Sequence, residues 1–309
     1  MISDHQIELA LCNAVEYAKK FIGEGRVANY IPELAYEDPT QIGVSIRTVE
    51  GKTFQCGAYD REFTMQSISK TISLIYALKN VGYDKVFSKV GVEPTGDAFN
   101  SMVKLEIKDT RPLNPMINAG AIAVASCGLD VPHAFDEFLA FTRKLCGRND
   151  ININEAVYLS EKQTGMRNRA MAYMMQSDNI LEHDAEDVLD FYFRMCSISV
   201  TTKDLAHYAA ILANHGVDPD SKECLVDRWI VQIVKTLMFT CGMYDASGEF
   251  AVKVGIPAKS GVGGGIIGSV ENKMGIAAFG PALDQKGNSI GASHIFNYLS
   301  EHLNLHCFT

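Results

Sequence analysis

Strand-type alternation occurs only near the two ends of this chain, and that distribution constrains the fold more than any other feature. Early on, Ile42, Val44 and Ile46 alternate with Gly43, Ser45 and Arg47 in QIGVSIRTVE, the period of a half-buried strand. Glu50-Gly51 reads as a turn, and KTFQCG as the returning strand. Far downstream, Phe250, Val252, Val254 and Ile256 alternate again. GGIIGSV and KMGIAAFG follow as strands joined at Glu271-Asn272. The stretches between carry apolar residues at helical spacing: INEAVYLSEKQ, NRAMAYMMQ, EDVLDFYFRMCS and TTKDLAHYAAILANHG. Thr201 and Asp204 give the last of these a capping signature. Two more helices bracket everything, one through Ile7, Leu11, Ala14, Ala18 and Phe21, the other through ASHIFNYLSEHLNL.

An α+β fold in two lobes follows. An antiparallel sheet assembled from both chain ends is flanked by helices, the first and last of which can cover its faces. The helical middle forms an inserted lobe. The expected division is a single catalytic domain over 1–309, with an α/β lobe at about 1–75 and 241–309 and a helical lobe at about 76–240. A chain of 309 residues can bury a core of that size, and the cleft between lobes is the default site.

Composition removes several functions. A formal charge of -9 leaves no basic stripe for nucleic acid. No apolar run is long enough to span a membrane, and the first twenty residues, with Asp4, Glu8 and Glu16, hold no signal-type core. A cytoplasmic protein is expected. Eight cysteines without a C-x-x-C read as thiols in a reducing compartment, not as disulfides or a zinc site. His133, His207 and His215 stand outside any metal-binding spacing, so no metal is expected. GGGIIG (263–268) satisfies G-x-G-x-x-G, yet no helix follows it, and Lys259 lacks the glycines of a phosphate loop. No cofactor is expected either.

Two short motifs carry chemistry. In MQSISK (65–70), Ser67 and Lys70 have the S-x-x-K spacing at the start of an apolar-periodic stretch from Ser67 to Val81, closed by Gly82. A helix N-terminus disfavours a cationic amine and so helps Lys70 to activate a serine, which is a poor nucleophile unaided. The same pattern also serves as the polar start of a core helix. Lys259-Ser260-Gly261 ends the downstream alternation and supplies the K-[ST]-G that accompanies S-x-x-K in serine acyl-transfer enzymes. An edge strand there offers a backbone N–H to an oxyanion. The third member of that set, S-D-N, occurs at Ser177-Asp178-Asn179, where Asp and Asn read instead as the close of a helix.

The sequence resembles the serine-dependent glutaminases of the bacterial stand-alone kind. The resemblance runs from about Tyr30 to Asn288 through VANYIPELA, MQSISK, FNSMVKLE, RPLNPMINAGAI, SEKQTGMRNRAMAYMM, LDFYFRMCSI, CGMYDASGEFAVKVGIPAKSGVGGG and LDQKGNS. It implies a β-lactamase/transpeptidase-like fold and hydrolysis of L-glutamine to L-glutamate and ammonia through a glutamyl-serine intermediate. It also implies a homodimer or homotetramer. Carried onto this chain, it makes Ser67 the nucleophile, Lys70 its activating partner and Tyr244 a proton relay. Tyr192 lines the site, Tyr30 lies over the substrate pocket, and the Val262 backbone completes the oxyanion hole. Asn118, Glu161 and Asn168 hold the amino-acid end of glutamine. A carboxylate suits its ammonium and amide donors suit its carboxylate. Mammalian relatives read SGVAGG where this chain reads SGVGGG, a change expected to loosen that loop. Two alternatives stand beside this reading: a peptidase or β-lactam hydrolase on the same fold, and a non-catalytic interaction protein.

Overall fold

The computed structural model describes residues 2–96 and 111–309, so FNSMVKLE lies outside the described residues. The chain opens with α1 (Asp4–Ala18), where Ser3 and Gln6 form a capping box and Ile7, Leu11, Ala14, Val15 and Ala18 make one buried face. The hairpin β1 (Gly43–Thr48) and β2 (Thr53–Gly57) follows as expected, then the two-residue strand β3 (Phe63–Thr64). A single 3-10 turn, Gln66–Ile68, feeds α2 (Ser69–Lys89). The helix therefore begins two residues after Ser67. Gly82, with φ 82°, breaks its geometry as expected, but the chain resumes a helical path beyond it.

The middle is helical: α3 (Asn118–Gly128), α4 (Ala134–Cys146), α5 (Glu155–Thr164), α6 (Met166–Ser177) and α7 (Ala185–Cys196). The short strand β4 (Ser199–Val200) pairs with β3 and leads into α8 (Thr202–Ala213), capped by Thr201 and Asp204 as its sequence indicates. After α9 (Arg228–Cys241) comes a helix that the alternating pattern does not announce, α10 (Ser247–Lys253). Phe250 and Val254 sit four residues apart, a spacing common to both periods, and both are buried. Val252 is 80% exposed, which settles the period as helical. The strand itself is shorter and later, β5 (Ala258–Ser260). β6 (Gly265–Val270), β7 (Met274–Phe279) and α11 (Ile290–His302) complete the chain.

The five-stranded sheet runs β2-β1-β7-β6-β5, antiparallel throughout. β1 pairs with β7, Ile46 opposite Ile276, so strands from the two chain ends meet at the sheet centre. Alternation along β7 sorts two layers. Met274, Ile276 and Ala278 join Val44, Ile46 and Ile266 beneath both terminal helices, α1 and α11. Gly275, Ala277 and Phe279 face the other way, toward α8. The sequence reading put the terminal helices on both faces. They share one face because their apolar stripes pack on each other as well as on the sheet, and α8, from the middle of the chain, covers the second. A Cβ on Gly275 would stand 2.1 Å from Ala210 N, so only glycine lets the α8 backbone lie this close. Among the described residues no helix is long and apolar enough to cross a membrane.

Candidate active site

Ser67 lies where the lobes join. β3 pairs with β4, and Met65 N donates to Ile198 O at 2.9 Å, so the strand that follows the helical segment α7 fixes the turn carrying Ser67. The serine is 6% exposed. Its neighbour Gln66 has φ 48°, a conformation that costs a non-glycine residue and recurs at functional sites.

From the other side comes β5, the sheet edge, with Ser260 and the loop Gly261–Gly264. This loop lies directly on the serine turn. A Cβ on Gly261 would stand 2.5 Å from Met65 O, and one on Gly263 would stand 2.4 Å from Thr64 O. Gly263 occupies the position of the mammalian alanine, and the glycine lets the loop lie against the Thr64 carbonyl. Between these glycines, Val262 N–H meets no backbone acceptor among the described residues.

Lys70 is fully buried and directs Nζ to Asn118 Oδ1 at 2.7 Å and to Met116 O at 3.1 Å. Its hydrogen bonds thus go to the start of α3 rather than to Ser67. Burial pulls its pKa down to about 8, against the opposing influence of Cys196 and Glu161. The side chain bonded to Ser67 is Tyr244, whose hydroxyl also donates to Ser260 O at 3.2 Å. Burial pushes the Tyr244 hydroxyl far above its usual range, so it stays protonated. Tyr244 too has a left-handed backbone, φ 54°.

A second polar group faces this one. Glu161, on α5, is buried, with Oε2 meeting no hydrogen-bond partner and the Gln66 side chain bonded to its carboxyl. Burial raises its pKa to about 8, and Gln66 and Lys70 counter only part of that rise. Asn118 Nδ2 donates to Asn168 Oδ1 at 3.0 Å, which joins α3 to α6. Tyr192, on α7, is buried and hydrogen-bonded with Cys196, and burial keeps its hydroxyl protonated. Tyr30 is 53% exposed. Its hydroxyl reaches inward, where burial and then the proximity of Tyr244 and Glu161 raise its pKa. The segment VANYIPELA closes over the site by packing Ala28, Ile31 and Leu34 on Val157, Tyr244 and Val262. The cluster therefore draws Tyr30, Ser67, Lys70, Asn118, Glu161, Asn168, Tyr192, Tyr244 and Val262 from both lobes.

Two further side chains of the cluster are given no role by any motif. Gln66 holds the Glu161 carboxyl, and only its place beside Ser67 marked it. Lys259 was visible as part of K-S-G without a task. Its Nζ donates to Gly242 O at 3.2 Å and Ser260 O at 2.5 Å and lies 4.5 Å from the Tyr244 ring centroid. Burial, then Lys70, depresses its pKa. Ser177-Asp178-Asn179 plays no part. Ser177 ends α6, Asn179 has φ 57°, and its carbonyl accepts from Lys89 at the far end of α2. A cavity of about 360 Å³ opens beside Tyr244, lined also by Met116, Ile117 and Asp245. Outside the site, His207, Asp218 and Asp220 form the one group among the described residues compact enough for a cation. Arg47 already engages Asp220 there.

A serine held by a tyrosine, beside a depressed lysine and an unclaimed N–H, is equipped for acyl transfer. The carboxyl and amides opposite it suit an amino-acid head group. The family model for glutaminase matches residues 25–308. The chain belongs to the glutaminase family. It is 52% identical over 297 residues to Glutaminase 2 of Clostridium perfringens, covering 95% of this chain and 97% of that one. A Bacillus glutaminase solved in 4.3 M NaCl matches with a TM-score of 0.90 at 38% identity, over 98% of this chain and 100% of that one. The Bacillus subtilis glutaminase in covalent complex with 5-oxo-L-norleucine matches at 0.89 and 36%, over 98% and 100%. The β-lactamase-like fold of these glutaminases is the two-lobed α+β architecture described above, as the motifs implied.

Proposed function

We propose that this chain hydrolyses L-glutamine to L-glutamate and ammonia through a glutamyl ester on Ser67. The observation that carries the reading is the convergence of Ser67, Lys70, Tyr244 and the unclaimed Val262 N–H on one side of the cluster, with Glu161 opposite. Glu161, ionised by the approach of the substrate ammonium, takes that group. The Asn118 and Asn168 amides take the α-carboxylate, and Tyr30 closes over the bound amino acid. This leaves the side-chain amide at Ser67.

Lys70 has the depressed pKa that lets it accept the Ser67 proton, whereas Tyr244, whose own pKa is far too high for a base, holds the serine oxygen and relays. The Ser67 oxygen attacks the amide carbon, and the backbone N–H groups of Ser67 and Val262 receive the developing oxyanion. Collapse expels ammonia, which takes its proton from the lysine through a tyrosine, with Tyr192 lining that side. Water then cleaves the ester and regenerates Ser67. Reaction of the Bacillus subtilis relative with 6-diazo-5-oxo-L-norleucine to give a covalent complex supports an intermediate of this kind. The protein acts as a single catalytic domain, in the cytoplasm and as a homodimer or homotetramer. Ammonia release from L-glutamine and L-asparagine tests the assignment, with release from glutamine expected. Release from neither amide would overturn it.

A further inference from the structure

Cys12 and Cys56 lie outside the catalytic cluster and touch each other. Cys12 is exposed on α1, and Cys56 is half-buried on β2, the free edge of the sheet opposite β5. Alternation along β2 puts Cys56 on the side of Phe54, the face that α1 covers. Their sulfurs are 2.9 Å apart, with the Cys56 thiol donating to Cys12. Even two carbon atoms, which are smaller, pack at about 3.5–4.0 Å when unbonded. No other thiol–thiol contact occurs among the described residues. Cys127, Cys146, Cys196 and Cys241 are buried, while Cys224 and Cys307 are exposed without a thiol partner.

We propose that Cys12 and Cys56 are a dithiol–disulfide pair, oxidised by low-molecular-weight disulfides and reversible by thiols. The division of labour follows from exposure. Cys12 is reached from solvent, and its sulfur accepts the hydrogen bond from Cys56. Burial first, and the bond to Cys12 second, hold the Cys56 thiol protonated, which leaves the first attack to Cys12. The Cys12 thiolate attacks the small disulfide, forms a mixed disulfide and releases one small thiolate. Cys56 then loses its proton to solvent and attacks the Cys12 sulfur, displacing the second small thiolate. The two protein sulfurs are oxidised by two electrons, and the small disulfide is reduced to two thiols. A closure of about 1 Å makes the bond.

The bond closes a loop between residues 44 apart and ties the N-terminal helix to the edge strand, which restricts the unfolded chain. The eight-thiol protein is the reduced form of this couple. Since neither cysteine belongs to the site, the bond acts on stability and leaves turnover of glutamine alone.

The test oxidises the purified chain with glutathione disulfide and follows intact mass, peptide map, Tm and ammonia release. The expected product has lost two hydrogens, yields a Cys12–Cys56 cross-linked peptide that dithiothreitol cleaves, melts several degrees higher and turns over glutamine at the same rate. Cys56→Ser should instead accumulate a stable glutathione adduct on Cys12, because the resolving thiol is gone. Three results would overturn the proposal: both thiols still open to alkylation after oxidation, a persistent glutathione adduct on Cys12 in the unaltered chain, or a cross-link joining other cysteines.

Discussion

Burial acts on Lys70 and Glu161 in opposite chemical senses, lowering one pKa and raising the other, and each arrives at about 8. The sign of the pH dependence follows. In the proposed mechanism, Lys70 below that value is protonated and cannot take the serine proton, while Glu161 is neutral and loses its attraction for the substrate ammonium. Both effects lower kcat/KM at acid pH, so the profile should climb as pH rises toward about 8, as initial rates across pH would show. Glu161→Gln separates the two. Losing one charge-assisted contact of about 1.5–3 kcal/mol should raise KM by roughly 10- to 100-fold, with kcat nearly kept. Much of this was legible at the residue level, because Ser67, Lys70 and Tyr244 sit in long, specific motifs. Gln66 and the seat of Lys259 were not. Their partners, Glu161 and the Tyr244 ring, lie far away in sequence or across a turn, where no spacing reports contact.

Among the elements, the edge strand β5 and its glycine loop place the Val262 N–H that the proposed mechanism gives to the oxyanion. Gly261→Ala would drive a Cβ to within 2.5 Å of Met65 O and push Val262 N–H away from Ser67. Loss of one oxyanion donor should cut kcat on the order of 100-fold, measured alongside an unchanged circular dichroism spectrum. Gly275→Ala tests packing instead. It wedges β7 from α8, and overpacking of this kind costs about 1–3 kcal/mol, visible as a lower urea midpoint with the active site intact. The hairpin, β6, β7 and the helical middle could be read from periodicity because each buries a face of one unambiguous period. The segment 250–256 could not, since Phe250 and Val254 fit both periods and only the exposure of Val252 decides between them. Which sheet face α8 covers was also hidden, for it depends on the small residues Gly275 and Ala210 meeting across sixty-five positions of chain.

Over the molecule as a whole, pairing of β1 with β7 brings strands from the two chain ends together, while α8 covers the sheet face and α9 meets the edge strand β5. Neither lobe holds the site alone. Ser67, Tyr244 and Val262 come from the sequence-defined α/β lobe, while Asn118, Glu161, Asn168 and Tyr192 come from the helical one. The apolar seal formed by VANYIPELA, with Ala28 and Ile31 against Val157 and Val262, spans both. In the function proposed above, this junction makes Ser67 the nucleophile that carries the glutamyl group. Labelling with 6-diazo-5-oxo-L-norleucine, followed by peptide mass mapping, tests that role. The expected result is one adduct on the peptide containing Ser67 with matching loss of ammonia release, and neither adduct nor turnover in a folded Ser67→Ala variant. An adduct on another residue, or near-normal turnover by that variant, would show that Ser67 is not the nucleophile.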